Sequence, residues 1–127
     1  MNILKPVIIV VVMCYITGCW SVTTSLEADL FEKTIGNTSE PQLIDVRSLA
    51  EYNDGRLPGA ILIDIRQTTF DSLIQELDRG RPVFVYCRSG RRSLEAAKIL
   101  EKNKFKVVYN LEGGIIAWKA KGKPIEL

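Results

Sequence analysis

Residues 83–93 read VFVYCRSGRRS, and this stretch decides the fold. Its four apolar residues predict a strand that is buried on both faces, and a helical pattern begins directly after the polar residues. Parallel sheets of this kind bind ligands at the carboxyl ends of their strands. We therefore expect Cys87, the residue that follows the strand, at the ligand-binding edge of a parallel sheet.

The rest of the chain alternates between short apolar runs and amphipathic segments. Its first helix is expected to start from a capping box with Thr24 as N-cap and Glu27 three residues on, and to direct Leu26, Leu30, Phe31 and Ile35 inward. Later helices are expected at 70–77, after Gly90 and after Gly113-Gly114. The predicted strands are 43–46, 61–63, 83–86 and 107–109. This alternation predicts an α/β fold, a doubly wound parallel sheet with helices on both faces.

Length and composition narrow the possible chemistry. The 127 residues support one domain, and a net charge of +2 gives no reason to expect a nucleic-acid partner. The chain contains no histidine, which excludes a Ser-His-Asp triad, a Cys-His pair and any histidine-ligated metal site. We expect neither a metal nor a cofactor.

Cys87 is the candidate nucleophile. The thiolate is the reactive form, and a free thiol with a pKa of ~8.5 is mostly protonated at neutral pH. The guanidinium groups of Arg88, Arg91 and Arg92, together with the dipole of the following helix, are expected to lower that pKa. Gly90 permits a positive φ, which lets backbone N–H groups converge on an anion. A cysteine that only fills space is the alternative, but such a cysteine needs no arginine neighbours.

Three motifs resemble those of the rhodanese family of sulfurtransferases. The first motif lies within 43–60 and consists of LIDVR, EY and GRLPGA. The second is the stretch 83–93. The third lies within 110–125 and consists of NLEGG, Trp118 and GKPI. Together they cover nearly all of residues 25–127, the expected rhodanese-like domain. The resemblance implies that Cys87 takes a sulfane sulfur from a thiosulfate-like donor and holds it as a persulfide. The sulfur then passes to a thiophilic acceptor, which is a small molecule such as cyanide or an acceptor protein.

The resemblance also implies roles for the loop after Cys87. Its backbone N–H groups would hold the persulfide anion, Arg88 and Arg91 would attract the donor, and Arg92 would orient the loop. The loop residues concerned are Arg88, Ser89, Gly90, Arg91 and Arg92. Cys87 to Arg92 spans six residues, the sulfurtransferase pattern, whereas related phosphatases and arsenate reductases have one residue more. Such a phosphatase or reductase, and a non-catalytic module that binds a partner, stay as alternatives.

Asp45, Arg47 and Glu51 form a charged set near the end of the second strand pattern. In one interpretation Asp45 or Arg47 acts beside the catalytic loop. The favoured interpretation is a supporting ion-pair network that fixes the loop after that strand. The chain departs from the family at Arg56, where relatives usually have a structural histidine.

Residues 1–18 are expected to be a signal peptide of the lipoprotein type. Lys5 precedes an apolar stretch at 6–15, which is shorter than the ~20 residues of a membrane-spanning helix. Residues 16–19, ITGC, resemble the lipobox of bacterial lipoproteins, which implies cleavage before Cys19 and a lipid on its thiol. Residues 19–24 would form a short tether. We expect an exported, lipid-anchored protein of the cell envelope or periplasm, with a plain secretory signal or an uncleaved anchor as alternatives.

Overall fold

The structure, a computed structural model, describes residues 21–127. Five strands and five helices alternate along this part of the chain. The strands are β1 (Val22–Leu26), β2 (Gln42–Asp45), β3 (Ile61–Leu62), β4 (Val83–Tyr86) and β5 (Val107–Leu111). The helices are α1 (Ala28–Gly36), α2 (Leu49–Asn53), α3 (Phe70–Ile74), α4 (Arg91–Lys102) and α5 (Gly114–Ala120). Within residues 21–127, no helix is long and apolar enough to cross a membrane.

All five strands are parallel and lie in the order β1-β5-β4-β2-β3. Every residue of β2 and β4 is buried, because helices cover both faces of the sheet. Successive side chains of β4 enter different cores, with Val83 and Val85 in one and Phe84 and Tyr86 in the other. The expected doubly wound parallel sheet with helices on both faces is confirmed.

Each face of the sheet has its own apolar core. The core that contains Cys87 receives side chains from α3 and α4, including Phe70, Ile74, Ala96 and Leu100. The opposite core receives side chains from α1 and α5, including Phe31, Ile115 and Trp118. Cys87 therefore lies at the carboxyl edge of the central strand, on the face covered by α4.

The capping box predicted at Thr24 is wrong, because residues 22–26 form β1 rather than the start of a helix. This strand pairs in parallel with β5 over its full length, from Val22 beside Val107 to Leu26 beside Leu111. Helix α1 begins at Ala28 after Glu27, and Leu30 is 46% exposed rather than inward. Strand β1 thus includes residues 22–24, which belong to the segment 19–24 that was predicted to be a tether. Long-range pairing with β5 determines the local structure here, which no local motif indicates.

The other predicted elements are present with small shifts of their boundaries. Helix α3 ends at Ile74, and Leu77 still packs against its core from the turn that follows. Strand β5 extends to Leu111, two residues beyond its predicted end. Helix α4 begins at Arg91, as expected from the stretch after Cys87.

Candidate active site

The loop between β4 and α4 folds around the sulfur atom of Cys87. Gly90 adopts φ 107°, and its N–H donates to Cys87 Sγ at 3.1 Å. Ser93, in the first turn of α4, donates from Oγ to the same sulfur at 3.4 Å and to the carbonyl of Gly90 at 3.0 Å. Cys87 is only 1% exposed. The sulfur therefore lies at the base of a cradle of donors.

The cradle favours the thiolate form of Cys87. Burial raises the pKa of the Cys87 thiol, but hydrogen bonds from the Ser93 hydroxyl and from the backbone of Ser93, Gly90 and Ser89 together outweigh it. The net pKa is lower than that of an ordinary thiol. Guanidinium groups, the dipole of the following helix and converging backbone N–H groups were all expected to lower this pKa. In the structure the main causes of the shift are hydrogen bonds from the backbone of the loop and from Ser93, and the side chains of Arg88 and Arg91 are exposed.

Arg92 connects the start of α4 to α2. Its guanidinium donates to both carboxylate oxygens of Glu51, at 2.8 and 2.9 Å. Glu51 also forms a capping box with Ser48, the N-cap of α2. Chiefly through the bond from Arg92, the pKa of Glu51 falls to about 2, so this pair stays ionised across the neutral range. The geometry agrees with an orienting role for Arg92. Glu51 forms its ion pair with Arg92, whereas Asp45 forms its own with Arg47.

Asp45 and Arg47 form a buried ion pair at the end of β2. Arg47 Nη2 lies 2.7 Å from Asp45 Oδ2 and also donates to the carbonyl of Gly55 at 2.7 Å. The hydroxyl of Tyr86, the residue before Cys87, donates to Asp45 at 2.6 Å. Burial, assisted by the Asp45 carboxylate, raises the pKa of Tyr86, so its hydroxyl remains a donor. These contacts join the end of β2 to Gly55 in the segment that follows it and to Tyr86 of β4, as expected of an ion-pair network that fixes the loop after β2.

The amino end of α5 holds the outer side of the catalytic loop. The N–H of Ile115 donates to the carbonyl of Cys87 at 2.9 Å, and that of Ile116 to the carbonyl of Arg88 at 3.2 Å. Gly114 permits this approach, since a Cβ there would lie 2.3 Å from the Arg88 carbonyl oxygen. The expected Gly113-Gly114 turn beside the loop is thus present. By binding the carbonyl groups from outside, α5 leaves the N–H groups directed towards the sulfur.

A pocket of about 350 Å³ borders the loop, and we call it the loop pocket. It is lined by Ile65, Arg66, Ser89, Arg91, Arg92 and Glu95. Within residues 21–127, no group of three or more His, Cys, Asp or Glu side chains is placed to hold a metal ion. The site therefore offers a thiolate, backbone donors and guanidinium groups.

Three residues near the site, Ser93, Arg66 and Glu95, were not predicted from the sequence. Ser93 was part of the quoted motif, and its spacing of six residues from Cys87 places it in the first turn of α4, where it reaches the sulfur. Arg66 follows β3 on a loop with no motif of its own, so no sequence signal assigned it. Arg56 packs over the ring of Tyr52 and pairs with the backbone of Glu126, which ties it to the C-terminal segment.

We expect Ser93→Ala to raise the pKa of the Cys87 thiol, because it removes the leading hydrogen bond that lowers that pKa. Alkylation of Cys87, followed by peptide mass spectrometry across a pH series, should then reach half its maximal rate at a higher pH than in the wild type. Ser72→Ala is the control, since the exposed Ser72 hydroxyl donates only to the carbonyl of Thr69. Unchanged profiles in both variants would contradict the role of Ser93.

A parallel α/β domain with a thiol held in a loop of backbone donors defines a class of proteins that perform cysteine chemistry on anions. Within that class, residues 27–121 match the Rhodanese-like domain, and the chain belongs to this family. The family identified from the three motifs is confirmed.

Named sulfurtransferases are among the relatives of this chain. It is 35% identical over 105 residues to a sulfurtransferase of Allochromatium vinosum, covering 79% of this chain and 92% of the relative. It is 39% identical over 85 residues to the putative sulfurtransferase YtwF of Bacillus subtilis, covering 67% and 80% of the two chains. The crystal structure of a thiosulfate sulfurtransferase from Pseudomonas aeruginosa superposes with a TM-score of 0.69 at 25% identity, covering 82% of this chain and 20% of that one. These relatives support sulfurtransferase activity in general.

Proposed function

We propose that this protein is a thiosulfate sulfurtransferase that carries the transferred sulfur as a persulfide on Cys87. The observation that carries the proposal is the cradle around Cys87 Sγ, in which Gly90 and Ser93 donate to the sulfur. A thiolate and a terminal persulfide are both anions, so the same donors serve the enzyme before and after it is loaded.

In the first step the Cys87 thiolate attacks the outer sulfur of thiosulfate. A sulfur–sulfur bond forms to Cys87, the bond between the outer sulfur and the sulfonate breaks, and sulfite leaves with the electron pair. The charges balance, since a thiolate and a dianion give a persulfide anion and sulfite. Arg88 and Arg91 are exposed on either side of Gly90, where their charge attracts a doubly negative donor.

In the second step a thiophilic acceptor attacks the outer sulfur of the persulfide. With cyanide as acceptor, a carbon–sulfur bond forms, the bond to Cys87 Sγ breaks, and thiocyanate leaves the restored thiolate. No external oxidant or reductant is needed. Glu51 holds Arg92, and α5 holds the loop carbonyl groups, so the donors keep their geometry through both steps.

Intact-protein mass spectrometry after treatment with thiosulfate tests the proposal. The wild type should gain about 32 Da, one sulfur atom, and lose it again when cyanide is added. A non-catalytic module that only binds a partner would gain nothing. Hydrolysis of phosphate esters or reduction of arsenate without any gain of sulfur would instead support a phosphatase or an arsenate reductase.

We further propose that the protein is exported and anchored in the cell envelope through a lipid on Cys19. Residues 1–20 lie outside the described residues, and the proposal rests on the lipobox-like residues 16–19 after the apolar stretch at 6–15.

Cells that express the wild type should incorporate radiolabelled palmitate into this protein, whereas the Cys19→Ala variant should not, because the acceptor thiol is gone. Cys14→Ala is the matched control and should label like the wild type. Equal labelling of the wild type and Cys19→Ala, or none in either, would contradict lipidation at this residue.

A further inference from the structure

The loop pocket contains charges of both signs that are not used by the fold. Arg92 is committed to Glu51, as described above. Among residues 21–127, no acidic side chain forms an ion pair with Arg66 or Arg91, and no basic side chain forms one with Glu95. Arg91 and Glu95 lie one turn apart on α4 and still do not pair. The pocket thus has two free cations and one free anion in its wall.

The size and charge of the loop pocket do not match thiosulfate alone. Its volume of about 350 Å³ is more than one small anion fills. The Glu95 carboxylate also repels a dianion. A ligand matched to this wall carries a negative and a positive group together.

We propose that the loop pocket binds the sulfur acceptor, and that this acceptor is a small thiol bearing both a carboxylate and an ammonium group. The inference rests on the proposed persulfide function and extends it to the acceptor. Arg66 and Arg91 bind the carboxylate, a pairing that guanidinium groups make with good geometry. Glu95 binds the ammonium, and Ile65 contacts the methylene carbons between them.

The chemistry of this second step is balanced without any other reactant. The sulfur of the acceptor thiol attacks the outer sulfur of the Cys87 persulfide and forms a new sulfur–sulfur bond. The bond to Cys87 Sγ breaks, and its electron pair restores the Cys87 thiolate. The proton of the acceptor thiol ends on the terminal sulfur of the persulfide product.

The test is a single-turnover transfer from protein loaded with thiosulfate and freed of excess donor. Four thiols are compared at equal thiolate concentration: L-cysteine with both charges, 3-mercaptopropionate with the carboxylate, cysteamine with the ammonium, and neutral 2-mercaptoethanol. Rates are expressed relative to 2-mercaptoethanol, so a general change in reactivity cancels. L-cysteine should react fastest on this scale.

Two variants test which side chain binds each charged group of the acceptor thiol. Arg66→Gln should lower the relative rates of L-cysteine and 3-mercaptopropionate about fivefold, which is the size of effect expected for a partly exposed ion pair. Glu95→Gln should lower those of L-cysteine and cysteamine and raise that of 3-mercaptopropionate. Lys102→Gln and Glu76→Gln are the matched controls. Lys102 ends α4, and Glu76 follows α3, so both lie near the opposite edge of the sheet.

Titration with S-methyl-L-cysteine, followed by NMR, tests the pocket without any turnover. The backbone amides of Arg66 and Glu95 should shift, and less so in the two variants. If these amides do not shift, or if the relative rates are the same in all proteins, the acceptor proposal is overturned while the proposed function stands. Failure to load sulfur from thiosulfate at all would instead overturn the proposed function and, with it, this assignment of the acceptor.

Discussion

Replacement of Cys87 by serine is expected to lower thiocyanate formation from thiosulfate and cyanide at least about 10³-fold, the scale on which loss of a catalytic nucleophile acts. A serine hydroxyl is not ionised near neutral pH, so no atom remains to attack thiosulfate. The variant should also gain no mass after treatment with thiosulfate. Serine is slightly smaller than cysteine and can accept from the N–H of Gly90, so we expect the fold to persist.

Circular dichroism and urea denaturation check that Cys87→Ser is folded. Cys14→Ser is the matched control, since Cys14 lies in the predicted signal peptide, and it should load sulfur and turn over like the wild type. Activity of Cys87→Ser equal to that of the wild type would contradict the persulfide proposal.

Gly114→Ala is expected to lower the rate of sulfur transfer by displacing the catalytic loop from the side that contacts α5. Gly114 has φ +60°, and an added Cβ would lie 2.3 Å from the Arg88 carbonyl oxygen and 2.7 Å from that of Cys87. These atoms are backbone, so the loop or α5 has to move. A displacement of about 1 Å at a reacting group costs about 10²-fold in rate, and we expect a loss of that order in sulfur loading and turnover. Overpacking should also destabilise the fold by about 1–3 kcal/mol.

Gly122→Ala separates this effect from ordinary backbone strain. Gly122 has nearly the same φ, +68°, but a Cβ there would meet nothing within 4 Å. Urea denaturation should show a modest loss of stability in this control, because only the strain of a positive φ is added. Its rate of sulfur loading should match the wild type. Equal rates in Gly114→Ala and Gly122→Ala would show that close approach of α5 is not needed for activity.

The buried strands of the fold could be predicted from the sequence because a strand that is covered on both faces consists largely of consecutive apolar residues. The run at β4 is apolar throughout, and that strand lies where its run indicates. Strand β2 has apolar residues only at Leu43 and Ile44, and it lies one residue before its predicted position. Strand β1 could not be predicted in this way. It lies at the edge of the sheet, and Thr24 and Ser25 are exposed there, so its only strong signal is pairing with residues more than eighty positions away.

Only those residues of the candidate site that follow one another in the sequence could be predicted. The motif after β4 located Cys87 and indicated a positive φ at Gly90, which the structure has. The partners that complete the site come from elsewhere. Glu51 meets Arg92 across 41 positions, and Arg66 reaches the loop pocket from the segment after β3. Such contacts depend on the packing of α2, α3 and α4, for which a single sequence carries no local signal.

The start of β1 at Val22 has a consequence for how the domain would stand on a membrane. All strands are parallel, so Val22 lies at the amino edge of the sheet and the catalytic loop at the carboxyl edge. With a lipid on Cys19, the three residue steps to Val22 span at most about 11 Å. Under this proposal, so short a linker would keep the amino edge near the lipid headgroups and would turn the mouth of the catalytic loop towards the aqueous side. Small dissolved donors and acceptors would then reach Cys87 from the bulk solvent without crossing the lipid surface.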